Sequence, residues 1–531
     1  MKRFGLLLCA ASLLVAQQIE AASGAIATGH TFFSVRPHFE TGSPEREAFF
    51  RNEKVDAREN GWGGAMQAVV YGGQSVKSCR LAEFFMPFGK RSLNVFEFDP
   101  TVGDPTGGDL NPAKDVEARN FNIHTVNGTF NSVIEFSPEQ KYIGIGFSYK
   151  QALWRCDDHS NLWLEVAFPV ERIQNSMGLT EKVNNDGGGA AAGTGLDGTP
   201  FQANMIEAFN QDGWKYGKIN ACHHLTKWGV GYLELKLNWS SAYNDCCRLD
   251  TFIGMIAPTG SKVDAKNAAY VFSPVVGNNH HWGFLFGGEM QFKLWECGKH
   301  SLSSAYDLSG RLLLKNHQIR SFDLEDKQWG RYLALYTQPQ AAAAFAAVDP
   351  NSGTSGINQF TRKVQVEPRY SADSNSALIY RYCGLSVEAG YNLFIREAER
   401  ICPATPWITT DSSSAAIAAA ACDQNHPLAI QSILGDGALN QARTIGKNFD
   451  GADEPYNVSN FANMQLQQNS ADLDSAAHPA IISNTIYGGI GYEWDACTVP
   501  MFVALGGSYE FSRANTTLER WMAFGKFGLS F

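Results

Sequence analysis

The chain has 531 residues, a formal net charge of −10 at pH 7 and a pI of about 5.7. Its 44% hydrophobic content excludes a disordered chain. The acidic balance, without a basic stripe anywhere, excludes nucleic acid as a partner.

The N-terminus is typical of a secretory signal peptide. Lys2 and Arg3 precede an apolar run from Phe4 to Ala16, and small residues begin at Ala21, after which cleavage is expected. The run is too short to cross about 30 Å of hydrocarbon. We therefore expect residues 1–21 to be removed and 22–531 to form the exported protein. No later apolar stretch predicts a membrane helix, which leaves a soluble secreted protein or a closed β-barrel.

Apolar and polar residues alternate in many stretches that follow. In "GVGYLELKLNWS", Leu235 and Leu237 oppose Glu234 and Lys236, the pattern of a strand with two unlike faces. Such runs reach the ~9–11 residues of a tilted membrane-crossing strand, whereas soluble strands average ~5–6. We predict about sixteen antiparallel strands, near 31–39, 62–71, 79–87, 118–125, 128–137, 142–155, 160–171, 228–242, 248–258, 281–296, 301–314, 370–382, 384–397, 484–495, 498–512 and 519–531.

A degenerate repeat joins these strands: a strand, an aromatic residue, a cysteine near a tight turn, and a second strand. The aromatic residues suit a membrane interface, where one side of the ring is wet; they are Trp154, Tyr243, Trp295, Tyr382 and Trp494. Cys79 is interpreted as one further instance of the repeat. Between the hairpins lie long polar segments, near 172–227, 259–280, 315–369 and 398–483. Short turns alternating with long loops are typical of outer-membrane barrels, with the short turns in the periplasm.

The chain ends in "LERWMAFGKFGLSF", with apolar residues at every second position. Trp521, Phe527, Leu529 and Phe531 share one face of this strand. This ending resembles the C-terminal insertion signal of Gram-negative outer-membrane β-barrel proteins. The resemblance implies an all-β transmembrane antiparallel barrel in the outer membrane, with the lipid and the outer-membrane assembly machinery as partners.

A barrel of about sixteen strands is wide enough for an aqueous channel. At that size the resemblance is to porins, which implies passive diffusion of small hydrophilic solutes. Charges of both signs have the parity for the lumen, so strong ion selectivity is not expected; these pore-lining candidates are Lys150, Glu165, Glu234, Lys236, Glu289, Lys293, Glu388, Arg396, Glu510 and Lys526. A homo-oligomer is left open.

Removing Cys9 with the signal leaves ten of the eleven cysteines, an even number in an oxidising compartment. Cysteines at predicted periplasmic turns resemble those of chlamydial major outer-membrane proteins, which are cross-linked by disulfides. The resemblance implies these disulfide candidates: Cys79, Cys156, Cys246, Cys247, Cys297, Cys383, Cys402, Cys422 and Cys497. Pairing between hairpins or with other envelope proteins is one alternative; simple intramolecular bridges or free thiols are the other. Cys402 and Cys422 flank one outer loop and can close it.

Signals for catalysis and metal binding are weak. "CHH" at 222–224 and the pair His280 and His281 are the dense histidine sites, without a CxxC or HExxH motif. No G-x-S-x-G motif marks a nucleophile. We therefore predict no cofactor, no metal ion and no enzymatic activity.

Two other functions stay open. One is a plugged structural or adhesive barrel whose outer loops bind a partner. The other is a transporter for hydrophobic compounds, since "FIGMIAPTG" and "FFMPFGKRS" resemble strand-to-loop pieces of fatty-acid transport barrels. A plug formed by the chain before the first strand would favour this transporter. Segment 201–227 is also long enough to fold into the lumen.

Overall fold

The computed structural model describes residues 26–49, 63–97, 115–157, 160–221, 223–244, 247–325, 327–336, 353–404, 429–430, 471–494 and 499–531. The predicted signal peptide, 1–21, lies outside these residues. No helix in the described ranges is both long enough and apolar enough to cross a membrane.

Twelve antiparallel strands form a closed barrel. Each strand pairs with its neighbours in sequence, and β1 pairs with both β2 and β12, which closes the ring. The strands are β1 Gly64–Ser75, β2 Glu139–Asp157, β3 Ser160–Ser176, β4 Leu233–Asn244, β5 Cys247–Ala257, β6 Gly283–Cys297, β7 His300–Leu313, β8 Arg369–Tyr382, β9 Leu385–Arg396, β10 Ile481–Trp494, β11 Met501–Phe511 and β12 Arg520–Ser530. One extra strand, Leu225–Val230, precedes β4 and pairs with the far part of β3. The prediction of an all-β antiparallel barrel is confirmed.

The two ends of the barrel differ. The short turns after β2, β4, β6, β8 and β10 lie at one end together with Phe531, and we call this the turn end. The long connections lie at the opposite end, which we call the loop end. Cys79 lies just after β1, at the loop end, so its assignment to the turn repeat is wrong.

The strand count of about sixteen is also wrong, because four predicted strands do not belong to the barrel. Residues 31–39 lie in no helix and join no sheet. Residues 79–87 fall mainly in the helix Ser78–Phe85, whose apolar residues recur at helical spacing. Residues 118–125 begin with the 3₁₀ turn Ala118–Phe121, and Asn131–Glu135 belongs to a separate sheet. Asn131–Glu135 is a strand of that separate sheet and shows the same alternation as a barrel strand, so period two alone did not exclude it from the barrel.

The outward-facing positions of the barrel are apolar and exposed. Ile253 and Leu505 are each 66% exposed, while inward neighbours such as Glu234 are fully buried. The aromatic residues Trp154, Trp295, Tyr382 and Trp494 are exposed near the turn end. A continuous apolar exterior with aromatic residues at one level is the surface of a membrane-spanning barrel.

The final strand is fastened to the first along its whole length. Positions from Ala65 to Ser75 pair with positions from Ser530 back to Arg520. At the end, Phe531 N donates to Gly64 O at 2.9 Å and Gly64 N donates to Phe531 O at 2.8 Å. Pairing of this kind removes the two open sheet edges, which lipid does not tolerate.

The segments at the loop end fold into a cap. Its small sheets are Ser92–Phe96 with Val116–Glu117, Asn131–Glu135 and Thr180–Asn185; Asn316–Ser321 with Thr361–Glu367 and Arg400–Pro403; Ala334–Tyr336 with Gly353–Ser355 and Ala429–Ile430; and Asp323–Leu324 with Ala471–Asp472. Its helices are Ser78–Phe85, Met205–Ala208, Ala265–Ala268 and Gly356–Gln359.

The cap has an apolar core of its own. Trp214 stacks on Tyr332 with ring centroids 5.1 Å apart, and Phe121 and Trp329 pack beside them. The helix Met205–Ala208, Trp214 and Ile219 contribute to this core, so residues 205–219 of the segment 201–227 pack in the cap and not in the lumen.

Candidate functional site: the barrel lumen

The chain before β1 passes through the barrel. Gly29 N donates to Met86 O and Thr31 N to Ser475 O, both at 2.9 Å, so residues 26–33 lie in the cap. Arg396 then holds the Ser34 carbonyl at 3.0 Å, and deeper in the lumen Phe49 N donates to Glu388 at 3.0 Å. We call residues 34–49 the lumen segment. It includes the short helix Pro44–Glu47, which starts on a proline and is entirely buried.

A chain of alternating charges ties the lumen segment to the wall. Arg46 has no exposed surface; it donates to Glu165 at 2.6 Å and also pairs with Glu234. Arg311 donates to Glu234 at 3.0 Å and pairs with Glu40. Arg36, also on the segment, pairs with Glu40 at 3.1 Å and with Asp373 on β8. These contacts reach β3, β4, β7 and β8, so the segment is held from several sides.

Such pairs fix a position more than they add stability. Desolvation cancels much of the attraction between two buried charges, whereas removing one partner costs about 3–5 kcal/mol. The charges of the wall therefore select one placement of the lumen segment. Lys526 adds to this selection by donating to Arg46 O at 2.6 Å and to Ala48 O.

Glycines of the wall make room for two phenylalanine rings of the segment. Phe39 and Phe49 are almost completely buried. A Cβ at Gly146 on β2 would overlap the Phe39 ring, and one at Gly489 on β10 would lie 2.9 Å from the Phe49 ring. The wall is thus complementary to the segment in shape as well as in charge.

The predicted pore-lining residues all lie on the inward parity of their strands. Glu165, Glu234, Glu388, Arg396 and Lys526 contact the lumen segment directly. Three of the others form ion pairs within the wall: Lys236 with Glu165 at 2.9 Å, Glu510 with Arg520 at 2.7 Å and Lys293 with Glu296 at 2.9 Å. Lys150 lies over the Trp163 ring, and Glu289 lines a cavity in the lumen. Whether they line a water-filled pore stays a prediction.

Sequence reasoning missed the residues that occupy the lumen. Arg36, Glu40 and Arg46 were assigned no role, although "VRPHFETGSPEREAFFR" places five charged residues of both signs within positions 36–47. Arg311 and Asp373 have inward parity on β7 and β8 and were also missed. The density of mixed charge just before β1 was the available signal.

Besides the cavity that Glu289 lines, a second cavity of about 40 Å³ lies in the cap, where the chain approaches the lumen. Phe33, Val263, Phe272 and Ile357 supply its apolar lining. Arg320 also lines it; its guanidinium stacks on the Phe32 ring and donates to Glu399 at 3.3 Å. Burial lowers the pKa of Arg320 to about 10, although Glu399 opposes this effect.

Five candidate disulfide cysteines are free thiols. Cys297 and Cys383 are exposed at the turn end, and Cys79, Cys247 and Cys402 are partly buried. Cys246, Cys422 and Cys497, and the side chain of Cys156, lie outside the described residues. The predicted pairing of these thiols stays a prediction.

The fold and the lumen define the class of this protein: a membrane-spanning up-and-down β-barrel with an occupied lumen. No protein-family model and no curated protein matches the chain. Among solved structures it is similar to an outer-membrane channel from Pseudomonas putida F1, with 10% identity over 88% of this chain and 96% of that chain and a TM-score of 0.35.

Two further structures are similar to the chain. One is a FadL homologue from Pseudomonas aeruginosa, at 8% identity over 95% of this chain and 98% of that chain, with a TM-score of 0.29. The other is the β domain of the Bordetella autotransporter BrkA, at 6% identity over 88% and 100%, with a TM-score of 0.32. At these identities the likeness concerns the fold alone.

Proposed function

We propose that this protein is a gated channel of the Gram-negative outer membrane for small hydrophobic compounds, with the lumen segment as its gate. The observation that carries the proposal is the path of residues 34–49 through the barrel, held by Arg46 between Glu165 and Glu234. A porin offers hydrophilic solutes a standing aqueous path. An ordered plug formed before β1 favours the hydrophobic-compound transporter instead.

The outer-membrane location is supported by the exterior of the barrel. Its apolar positions suit hydrocarbon, and Trp154, Trp295 and Trp494 suit an interface. The apolar face of β12, with Trp521 and Phe527 exposed to the exterior, supports recognition of this strand by the assembly machinery.

The cap cavity places apolar side chains beside the lumen segment. Phe33, Val263 and Ile357 supply apolar surface there, and Arg320 and Arg331 lie among the polar groups of the lining. Phe33 lines this cavity and directly precedes the lumen segment. A compound that binds there must enlarge this cavity of about 40 Å³ and so displaces the same stretch of chain that closes the barrel, which couples binding to the position of the gate.

Uptake of N-phenylnaphthylamine by cells with intact lipopolysaccharide tests this proposal. We expect the protein to raise the uptake rate several-fold over cells that lack it. Val263→Phe fills the cap cavity and returns uptake toward background, whereas Val126→Phe, at an exposed cap position, leaves it unchanged. Unchanged uptake with Val263→Phe, in a variant shown to be folded, would contradict the proposal.

A porin-like channel remains the second candidate because the inward wall is charged. Glu165, Glu234 and Lys236 would line a hydrophilic path once the lumen segment had left. Swelling of proteoliposomes in arabinose distinguishes the two functions. Rapid swelling without uptake of the hydrophobic probe would favour the porin-like channel.

A further inference from the structure

The cap cavity beside the lumen segment has cationic side chains in its lining. Arg320 and Arg331 both line it, whereas no aspartate or glutamate of the described residues does. Arg331 is matched, because its Nη1 donates to Asp323 at 2.7 Å. Arg320 is almost completely buried, and its hydrogen bonds are incomplete. The search for a ligand therefore starts from Arg320.

One nitrogen of the Arg320 guanidinium has no acceptor. Its Nε donates to Gln318 at 2.9 Å, and its Nη1 donates to Ala476 O at 3.0 Å and to Glu399 at 3.3 Å. Its Nη2 is buried and donates to no atom of the described residues. Buried donors normally have a partner, and a charged donor forms the stronger bond. Because Arg320 lines the cavity, an acceptor for Nη2 can lie there.

The charges around Arg320 also favour an anion. Glu399 attracts both Arg320 and Arg396, so two guanidiniums share this one carboxylate. Glu40 attracts Arg396 as well, but it already pairs with Arg36 at 3.1 Å. Burial lowers the pKa of Arg320 to about 10 even with Glu399 beside it, which agrees with a cation that is only partly compensated. A monoanion in the cavity would complete the compensation.

The rest of the lining favours an organic anion with an aromatic ring. Phe33 and Phe272 meet edge to face with ring centroids 6.1 Å apart, and Tyr270 and Tyr332 also line the cavity. Rings attract one another at centroid distances of about 4.5–7 Å. A cavity of about 40 Å³ holds about three waters at about 10–15 Å³ each, and a carboxylate group can take their place. The ring itself enters only by displacing a wall of the cavity.

We propose that the cap cavity binds the carboxylate of an aromatic monocarboxylic acid, with Arg320 Nη2 as the donor. The single negative charge matches the guanidinium charge that Glu399 shares between two arginines, and the ring packs against the aromatic lining. Phosphate would bring a second charge and no apolar surface. The inference rests on the proposed function and narrows its substrates to aromatic compounds with one carboxylate. Entry of the ring displaces Phe33, which directly precedes the lumen segment.

Binding of 4-phenylbutyrate and of 4-phenylbutanol tests the site. The full mature protein in detergent is titrated with each compound by calorimetry at pH 7.5, and protein-free micelles give the blank. We expect the acid to bind about tenfold or more tightly than the alcohol. Arg320→Met removes this preference and leaves the affinity for the alcohol unchanged. The matched control is Arg91→Met, at an exposed ion pair, which keeps the preference.

A second variant covers the case in which Arg320→Met does not fold. Arg320→Lys keeps a cation beside Glu399 and removes Nη2, and we expect it to reduce the preference several-fold. Equal affinity of acid and alcohol in the wild type, or an unchanged preference in both Arg320 variants, would overturn the site. Phosphate that binds as tightly as 4-phenylbutyrate would overturn the organic ligand, and equal affinity for 4-cyclohexylbutyrate would overturn its aromatic ring.

Binding and transport are measured separately, so the two proposals can fail separately. Preference for the acid without uptake of N-phenylnaphthylamine would support the site and contradict the transport function. Uptake of that neutral probe without any preference for the acid would support transport and overturn the carboxylate site.

Discussion

Arg46 is the residue on which the closed lumen depends most. It is fully buried and is the segment's cation between Glu165 and Glu234. Arg46→Met keeps the volume and removes the charge. Lys236 and Arg311 then remain as the partners of these carboxylates. We expect the free energy that holds the lumen segment against the wall to fall by about 3–5 kcal/mol.

Hydrogen exchange of residues 34–49 measures this loss. We expect faster exchange in Arg46→Met than in wild type, by two orders of magnitude or more. Arg91→Met is the matched control, because its pair with Glu83 lies on the surface and contributes little. Equal exchange in Arg46→Met and wild type would show that the ion pairs do not hold the segment.

His281 makes the cap sensitive to acid. It is buried, its Nδ1 donates to Leu314 O at 2.7 Å, and its Nε2 accepts from Gln318 at 2.9 Å. Burial lowers the pKa of His281 to about 4. Below its ordinary pKa of 6.5 the unfolded chain takes up a proton that the folded cap does not. The stability that neutral His281 contributes is therefore present above pH 6.5 and is lost as the pH falls toward 4.

We expect cap unfolding to become easier by up to about 1.4 kcal/mol per pH unit in this window from His281 alone. Burial raises the pKa of Asp472 to about 6, and that group acts in the opposite direction as the pH falls. The comparison is therefore wild type against His281→Asn, by hydrogen exchange of cap peptides at pH 7.5 and pH 5. The same loss of protection in both proteins would assign the acid sensitivity to other groups.

At the scale of elements, the alternation of apolar and polar residues predicts the strands of the barrel wall, but it does not predict the segment inside the lumen. The inward parity of Glu234, Lys236 and Glu388 was readable because their strands bury one face and expose the other. Residues 31–39 alternate too, yet they join no sheet; contacts distant in sequence, such as those of Arg36 with Asp373 on β8 and of Ser34 with Arg396 on β9, decide where they lie. Period two reports an extended chain, and sheet membership depends on partners far away in sequence.

The fit between Gly146 and Phe39 gives a test of the gate that leaves every charge in place. Gly146→Val on β2 pushes against the Phe39 ring, and overpacking of this kind costs about 1–3 kcal/mol. We expect a higher open probability in planar bilayers. Gly525→Val is the control, since it faces lipid with its nearest neighbour, Leu505, 3.4 Å from the added Cβ. A channel that stays closed in folded Gly146→Val would mean that the lumen segment still fits after the valine has filled the space beside Phe39.

At the scale of the whole molecule, the two unlike ends predict an orientation. The turn end carries the exposed thiols of Cys297 and Cys383, and the cap covers the other end. With the turn end in the periplasm, a membrane-impermeant maleimide should label Cys297 only after the outer membrane is permeabilised. Val126→Cys, at an exposed cap position, should be labelled in intact cells. Labelling of Cys297 in intact cells would reverse the orientation.

Single-channel conductance of the refolded mature protein is the most direct test of the central claim that residues 34–49 close the barrel. The account predicts that wild type is mostly silent, with rare brief steps. It also predicts that Arg46→Met opens to large, stable, ohmic steps under the same conditions. Stable large steps from wild type, unchanged by Arg46→Met, would contradict it and would identify an open porin-like channel.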